Sequence, residues 1–143
     1  MNTKLNIQIL LTLKYLSFLF ISFFISCASF FVAEESPEEK LEKISMATNE
    51  ALPMMIDSFM RLDATKSDKG RIFYYYYTVI ETAPKRVFSQ NFLDIAMKPV
   101  AIKNYKTNDS LQFQRDNNVT LIYIYKDSKG VEFGRIQINP NDF

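Results

Sequence analysis

The chain begins with an uncharged apolar run and then moves between helical and strand periodicities. Tyr15 to Ala33 holds 19 residues without a charge, preceded by Lys4 and Lys14 and closed by Glu34-Glu35. A short basic start before a long apolar stretch is how a chain is handed to a membrane translocon. Beyond it the pattern becomes helical. Ser36 suits an N-cap, Pro37 the first helical position, and Glu39 stands three residues after the cap. This is a capping box, in which two side chains satisfy each other's free backbone N–H groups. Leu41, Ile44, Thr48 and Ala51 follow at helical intervals, and Leu52-Pro53 ends the element.

After Pro53 the period shortens to two. Met54, Ile56, Met60 and Leu62 alternate with Met55, Asp57, Phe59, Arg61 and Asp63, which predicts a strand with one buried face. Ala64 to Gly70 reads as a polar loop, and Arg71 to Ile80 as a central strand rich in aromatic and β-branched residues. Residues 57–80 therefore predict a long hairpin. Pro84 marks a second helix start, with Phe88, Phe92, Ile95 and Pro99 on one face and Pro99 as its breaker. Asp109 is placed to cap a short helix over 110–116 that buries Leu111 and Phe113. Val119 to Lys126 and Val131 to Ile138 predict a second hairpin around the turn Asp127-Ser128-Lys129-Gly130. The order α-β-β-α-β-β predicts an α+β fold: a four-stranded antiparallel sheet with helices packed on one face.

The apolar run divides the chain into residues 1–33, a signal peptide or membrane anchor, and 34–143, a single small α+β domain. Three fates of the leader fit the residues. Phe24-Ile25-Ser26 before Cys27 resembles a relaxed lipobox, making Cys27 a lipidation site. Ser26 and Ala28 supply the small residues for a cut after Ala28. Left uncut, the run spans ~28 Å as a helix, close to the hydrocarbon thickness. Each fate places the domain outside the cytoplasm, in the bacterial cell envelope, facing the periplasm or anchored to the membrane.

Removing the leader takes away two of 17 basic residues and none of the 16 acidic ones, so 15 − 16 leaves a charge near −1. That balance argues against nucleic acid, which needs a clustered basic face. With Cys27 as the only cysteine there is no intramolecular disulfide, so the domain holds itself by its core, to which 13 Phe and 8 Tyr contribute. Glu34 to Glu50 carries six Glu and two Lys, a pattern expected of capping and a solvated helix face.

Asn49, Leu52-Pro53, Met55, Asp57, Arg61-Leu62-Asp63 and Tyr75-x-Tyr77-Thr78 resemble a pattern in small uncharacterised bacterial exported or membrane proteins. Val119, Tyr123-x-Tyr125, Asp127 and Gly130 resemble that group's second hairpin. The resemblance covers most of the chain after Ser45 and implies an envelope location and no known activity.

Catalytic chemistry is narrowed by what is missing. There is no histidine, so Ser-His-Asp and Cys-His mechanisms and His-ligated metals are absent. One cysteine does not make a thiolate zinc site, and three scattered glycines do not make a phosphate-cradling loop. No cofactor or metal is expected. Two constellations remain. Asp57, Arg61 and Asp63, at alternating positions of one expected strand, offer two carboxylates around a guanidinium, for acid–base work, a cation or a plain surface ion pair. Tyr75, Tyr77, Tyr123 and Tyr125, on adjacent strands, offer an aromatic face for a ligand or partner, or rings packed across the sheet. The expected function is that of a non-enzymatic accessory domain, tied to the membrane through its N-terminus and binding a protein partner. The alternative is a carrier or sensor holding a small apolar or sugar ligand between helices and sheet.

Overall fold

The computed structural model describes residues 35–80 and 89–142. The capping box at the start of α1 (Pro37–Asn49) forms as its sequence dictates: Glu39 N donates to Ser36 Oγ at 3.2 Å and Ser36 N to Glu39 Oε2 at 2.9 Å. The bond from Ser36 N, followed by one from the Ser36 hydroxyl, holds the Glu39 carboxyl below the usual carboxylate range. The helix buries Leu41 and Ser45.

The alternating run after Pro53 does not make one strand. It folds back at Asp57, giving β1 (Met54–Met55) and β2 (Met60–Asp68), paired antiparallel. The cause is the Asp57 carboxylate, which accepts from Phe59 N at 2.7 Å and Met60 N at 2.8 Å. An aspartate satisfying amides two and three residues on is a turn-maker. The expected polar loop 64–70 is mostly strand: β2 runs to Asp68, and the turn into β3 (Ile72–Val79) is confined to Lys69, Gly70 and Arg71, the last two at positive φ. Thr65 anchors this stretch by docking against α1.

The second helical stretch begins at Ser89, whose hydroxyl accepts from Phe92 N at 3.3 Å, and enters α2 (Gln90–Phe92). The start expected at Pro84 falls outside the described residues. Pro99 does not break the helix. A π-helical turn (Leu93–Met97) precedes it, Lys98 N–H reaches back to Leu93 O, and α3 (Lys98–Thr107) takes the proline into its first turn, where no N–H is needed. Asn108, rather than Asp109, caps the next turn through Ser110 N at 2.9 Å. A 3-10 turn (Asp109–Leu111) and α4 (Gln112–Asp116) then lead into β4 (Thr120–Lys126) and β5 (Glu132–Ile138).

The five strands lie in the order β1-β2-β3-β4-β5. This corrects the expected four-stranded antiparallel sheet. The tight turns do join antiparallel partners, but β3 and β4 are parallel. Forty residues containing helices separate Val79 from Thr120, and a crossover of that length returns the chain to the end where β3 began. The described helices gather on the sheet face carrying Phe73, Leu121, Tyr123, Tyr125, Ile136 and Ile138, where Leu41, Leu93, Tyr105 and Leu111 complete the core. Tyr105 is fully buried, and its hydroxyl donates to Val119 O at 2.8 Å and Gln114 O at 3.0 Å. Among the described residues no helix is long and apolar enough to cross a membrane.

Candidate functional site

The parallel β3–β4 register sets Tyr75 beside Tyr123 and Tyr77 beside Tyr125. Their rings form one interleaved stack, with centroids 5.1 Å apart for Tyr75–Tyr123, 6.3 Å for Tyr77–Tyr123 and 5.4 Å for Tyr77–Tyr125. All four lie on the helix-covered face, and Tyr123 and Tyr125 belong to the buried core. Burial pushes the Tyr77 phenol up to about 12. The phenols of Tyr75, Tyr123 and Tyr125 are driven higher still by burial first and then by neighbouring phenols. The structure thus brings the four tyrosines together as a packed, neutral ladder beneath the helices.

On the opposite face the intervening residues Tyr74 and Tyr76 stack at 6.1 Å. Lys66 Nζ lies 6.0 Å from the Tyr74 centroid and Lys126 Nζ 5.4 Å from that of Tyr76. Such cation–π pairs are worth about 0.5–1 kcal/mol where exposed.

The polar cluster is brought together only in part. Arg61 Nε meets Asp63 Oδ1 at 2.5 Å, and Thr78 Oγ1 donates to Asp63 Oδ2, a pairing made possible because the ladder slips between Leu62 and Ala64. Asp57 is not part of it, being occupied in the β1–β2 turn. Among the described residues no three His, Cys, Asp or Glu side chains converge as a metal would require. Cys27 lies outside the described residues.

Two edge features escape a reading of the sequence. Asn49, the last residue of α1, reaches the main chain of Thr65: Thr65 N donates to Oδ1 at 2.7 Å and Nδ2 donates to Thr65 O at 2.9 Å. Thr65, only 4% exposed, also bonds Ser45 through its hydroxyl. At the other edge Gln90 treats Arg135 in the same way, accepting from its N and donating to its O at 2.9 Å each. This approach requires Gly134, where a Cβ would stand 2.6 Å from Leu93 Cδ1 and 2.8 Å from Gln90 Oε1.

The outermost strand, β1, and the turn after it form an exposed apolar corner. Met54, Met55, Ile56 and Phe59 are 42–48% exposed, yet they stand on a turn fixed by Asp57 and by the Ile56 N to Met60 O bond of 2.9 Å. No periodicity marks such a corner, because its residues also fit a half-buried strand.

The arrangement is that of a small α+β domain with a filled aromatic core and its available chemistry at the sheet edge. The chain belongs to a family described as a domain of unknown function (DUF8479), whose sequence model matches residues 36–133. No curated protein matches it by sequence. Among solved structures it is similar in fold to a candidate secreted protein from Pseudomonas aeruginosa, with a TM-score of 0.61 at 12% identity over 72% of this chain and 88% of that one. It is also similar to the type 2 secretion system pilotin EpsS from Vibrio vulnificus, with a TM-score of 0.56 at 13% identity, covering 73% and 88%. The type II secretion system pilotin AspS from Vibrio cholerae gives a TM-score of 0.55 at 10% identity, covering 73% and 89%.

Proposed function

We propose that this is a non-enzymatic accessory protein of the bacterial cell envelope whose domain works by binding a protein partner. The observation that carries the reading is the apolar corner of Met54, Met55, Ile56 and Phe59, four neighbouring exposed side chains held together on a turn, where the other exposed large hydrophobics, Met46, Ile95, Val100 and Val131, lie on separate elements or turns. Exposed apolar patches held in place mark interaction sites more often than accidents of composition, and methionines adapt to a partner's shape. The leader supports export, and the shared fold with a candidate secreted protein and two secretion-system pilotins fits an accessory role in the envelope. A carrier or sensor would need space between helices and sheet, where the tyrosine ladder, Leu93 and Tyr105 are packed instead.

The test is purification of the full chain from its membrane fraction in mild detergent, followed by native mass measurement. The expected result is a complex with a second polypeptide, lost in Phe59→Asp at unchanged thermal stability; a solitary wild-type species overturns the reading. The intact mass from the same preparation distinguishes an acylated Cys27, a start at Ser29 and an uncut chain.

A further inference from the structure

The edges of the sheet are treated unequally. In an antiparallel ladder alternate residues direct their N–H and C=O away from the paired strand, so an edge strand displays a free pair at every second residue. On β2 the pair at Thr65 is taken by the Asn49 carboxamide, and on β5 the pair at Arg135 is taken by Gln90. Each amide side chain bonds as a neighbouring strand would and so stops the sheet from growing there. The outward pairs beyond these stops, at Ser67 and Gln137, sit beside Lys66, Asp68 and Arg135, charges that oppose a further strand.

Among the described residues the edge at β1 carries no such stop. Ile56 N bonds Met60 O, and the same register pairs Met54 with Leu62, so Met54 and Ile56 turn their main chain toward β2. Met55, between them, turns its N–H and C=O outward, and among the described residues it has no main-chain partner. The open pair is framed by apolar side chains rather than charges. Asp57 is engaged with two amides and Arg61 with Asp63.

We infer that β1 accepts an extended segment of a partner protein as an added strand, paired through the main chain of Met55 and covered by Met54, Ile56 and Phe59. The inference rests on the partner-binding reading and gives that site its mode of recognition, β-strand addition. The occupant is a short linear segment, uncharged and apolar at alternate positions, to match the exposed apolar side chains around Met55 and the engagement of Asp57 and Arg61 within the fold. A second copy of this chain fits less well. Four side chains, each under half exposed, offer on the order of 300 Å², against the ~800 Å² per partner of a stable interface.

Met55→Pro isolates the outward N–H. Proline removes that donor, leaves the ladder to β2 intact and is tolerated on an edge strand. Met55→Leu keeps donor and apolar character together. The probes are linear peptides selected from a random displayed library against the full chain in detergent. The expected peptides carry apolar residues at alternate positions and lose affinity about tenfold in Met55→Pro but not in Met55→Leu, as one hydrogen bond implies. Both variants should keep the wild-type melting temperature. A library that yields no binder, or binders indifferent to Met55→Pro, overturns strand addition.

The two readings fail separately. A native complex that survives Met55→Pro but not Phe59→Asp leaves the partner standing and removes the strand mode. A wild-type dimer that dissociates in Met55→Pro replaces the partner by a second copy and overturns the inference. The chain has no tryptophan, so Phe59→Trp is a single reporter. Its quenching by brominated phosphatidylglycerol in a nanodisc would mean a lipid surface covers the corner instead, and would also overturn it.

Discussion

The Asn49 stop can be tested in isolation, because its side chain is solvent-facing and meets the fold almost entirely through Thr65. Asn49→Ala removes the bond to Thr65 O at 2.9 Å, the bond from Thr65 N at 2.7 Å and a longer one from the Thr65 hydroxyl at 3.1 Å. A net contribution of about 0.5–1.5 kcal/mol for each main-chain bond gives a loss of about 1–3 kcal/mol. Water reaches an edge, so the low half of that range is expected, with a fall in Tm of about 5–10 °C for a domain this size. Asn49→Asp sharpens the test. At neutral pH the carboxylate keeps the acceptor but sets a charge against the Thr65 carbonyl, and stability should fall at least as far as in Asn49→Ala. A protonated carboxyl restores a donor beside an acceptor, as in the carboxamide. The folded state then holds the proton more tightly than the unfolded chain, so the introduced carboxyl has a raised folded pKa. Its contribution is present below about 4 and is lost as pH rises through the folded value. Thermal melts of the three proteins from pH 3 to 7 decide the matter. An Asn49→Ala loss under about 0.5 kcal/mol, or an Asn49→Asp deficit that does not narrow at acid pH, refutes the edge-stop account.

Three further outcomes follow from the packing. Because Tyr77 is held protonated up to about 12 while an unfolded tyrosine ionises near 10, its contribution is complete below about pH 10. It is lost as pH rises toward 12, by about 3 kcal/mol for Tyr77 alone. Tyrosinate absorbance from the ladder should therefore rise together with loss of far-ultraviolet circular dichroism, and Tyr77→Phe should move that transition upward; reversible ionisation of Tyr77 itself near pH 10 in the folded protein, read as the difference between wild type and Tyr77→Phe, would contradict the burial. Gly134→Ala drives a methyl into Leu93 and Gln90 and should cost about 1–3 kcal/mol in denaturant melts, with faster amide exchange at Arg135 as Gln90 is displaced. Asp63→Asn, at a half-exposed ion pair, should change stability by less than about 1 kcal/mol and by less still in high salt; a larger, salt-independent loss would assign the pair a structural role.

Much of this fold is written locally, and what is not local is what the pattern misses. Ser36, Pro37 and Glu39 determine a helix start by themselves, and Asp127 with Gly130 determines a turn. The run Tyr74–Tyr77 tells a reader that alternate rings face opposite sides, but not which side the helices cover, since tyrosine suits both. The parallel pairing of β3 with β4 depends on where a forty-residue crossover ends, which no short window contains. Pro99 misleads for a different reason: a π-helical turn placed before it moves the proline from a helix interior to a helix start. The polar stretch 64–68 reads as loop because its strand is held by partners 16 and 20 residues away, Asn49 and Ser45.

The candidate site shows the same division. Asp57, Arg61 and Asp63 all fall at odd-numbered positions, but a period of two places groups on one face only while the strand continues. Once Asp57 turns the chain, it leaves the pair and instead fixes the geometry of Met55 opposite Arg61. Asn49, Met55 and Asp57 thus act on one edge within nine positions of chain: the first closes the edge at Thr65, the third builds the turn, and the second is the main-chain pair that has no partner among the described residues. Substitutions at these positions should alter who pairs with the sheet while sparing the aromatic core. Substitutions among Tyr75, Tyr77, Tyr123 and Tyr125 should instead loosen the core and leave the main chain of that edge as it is.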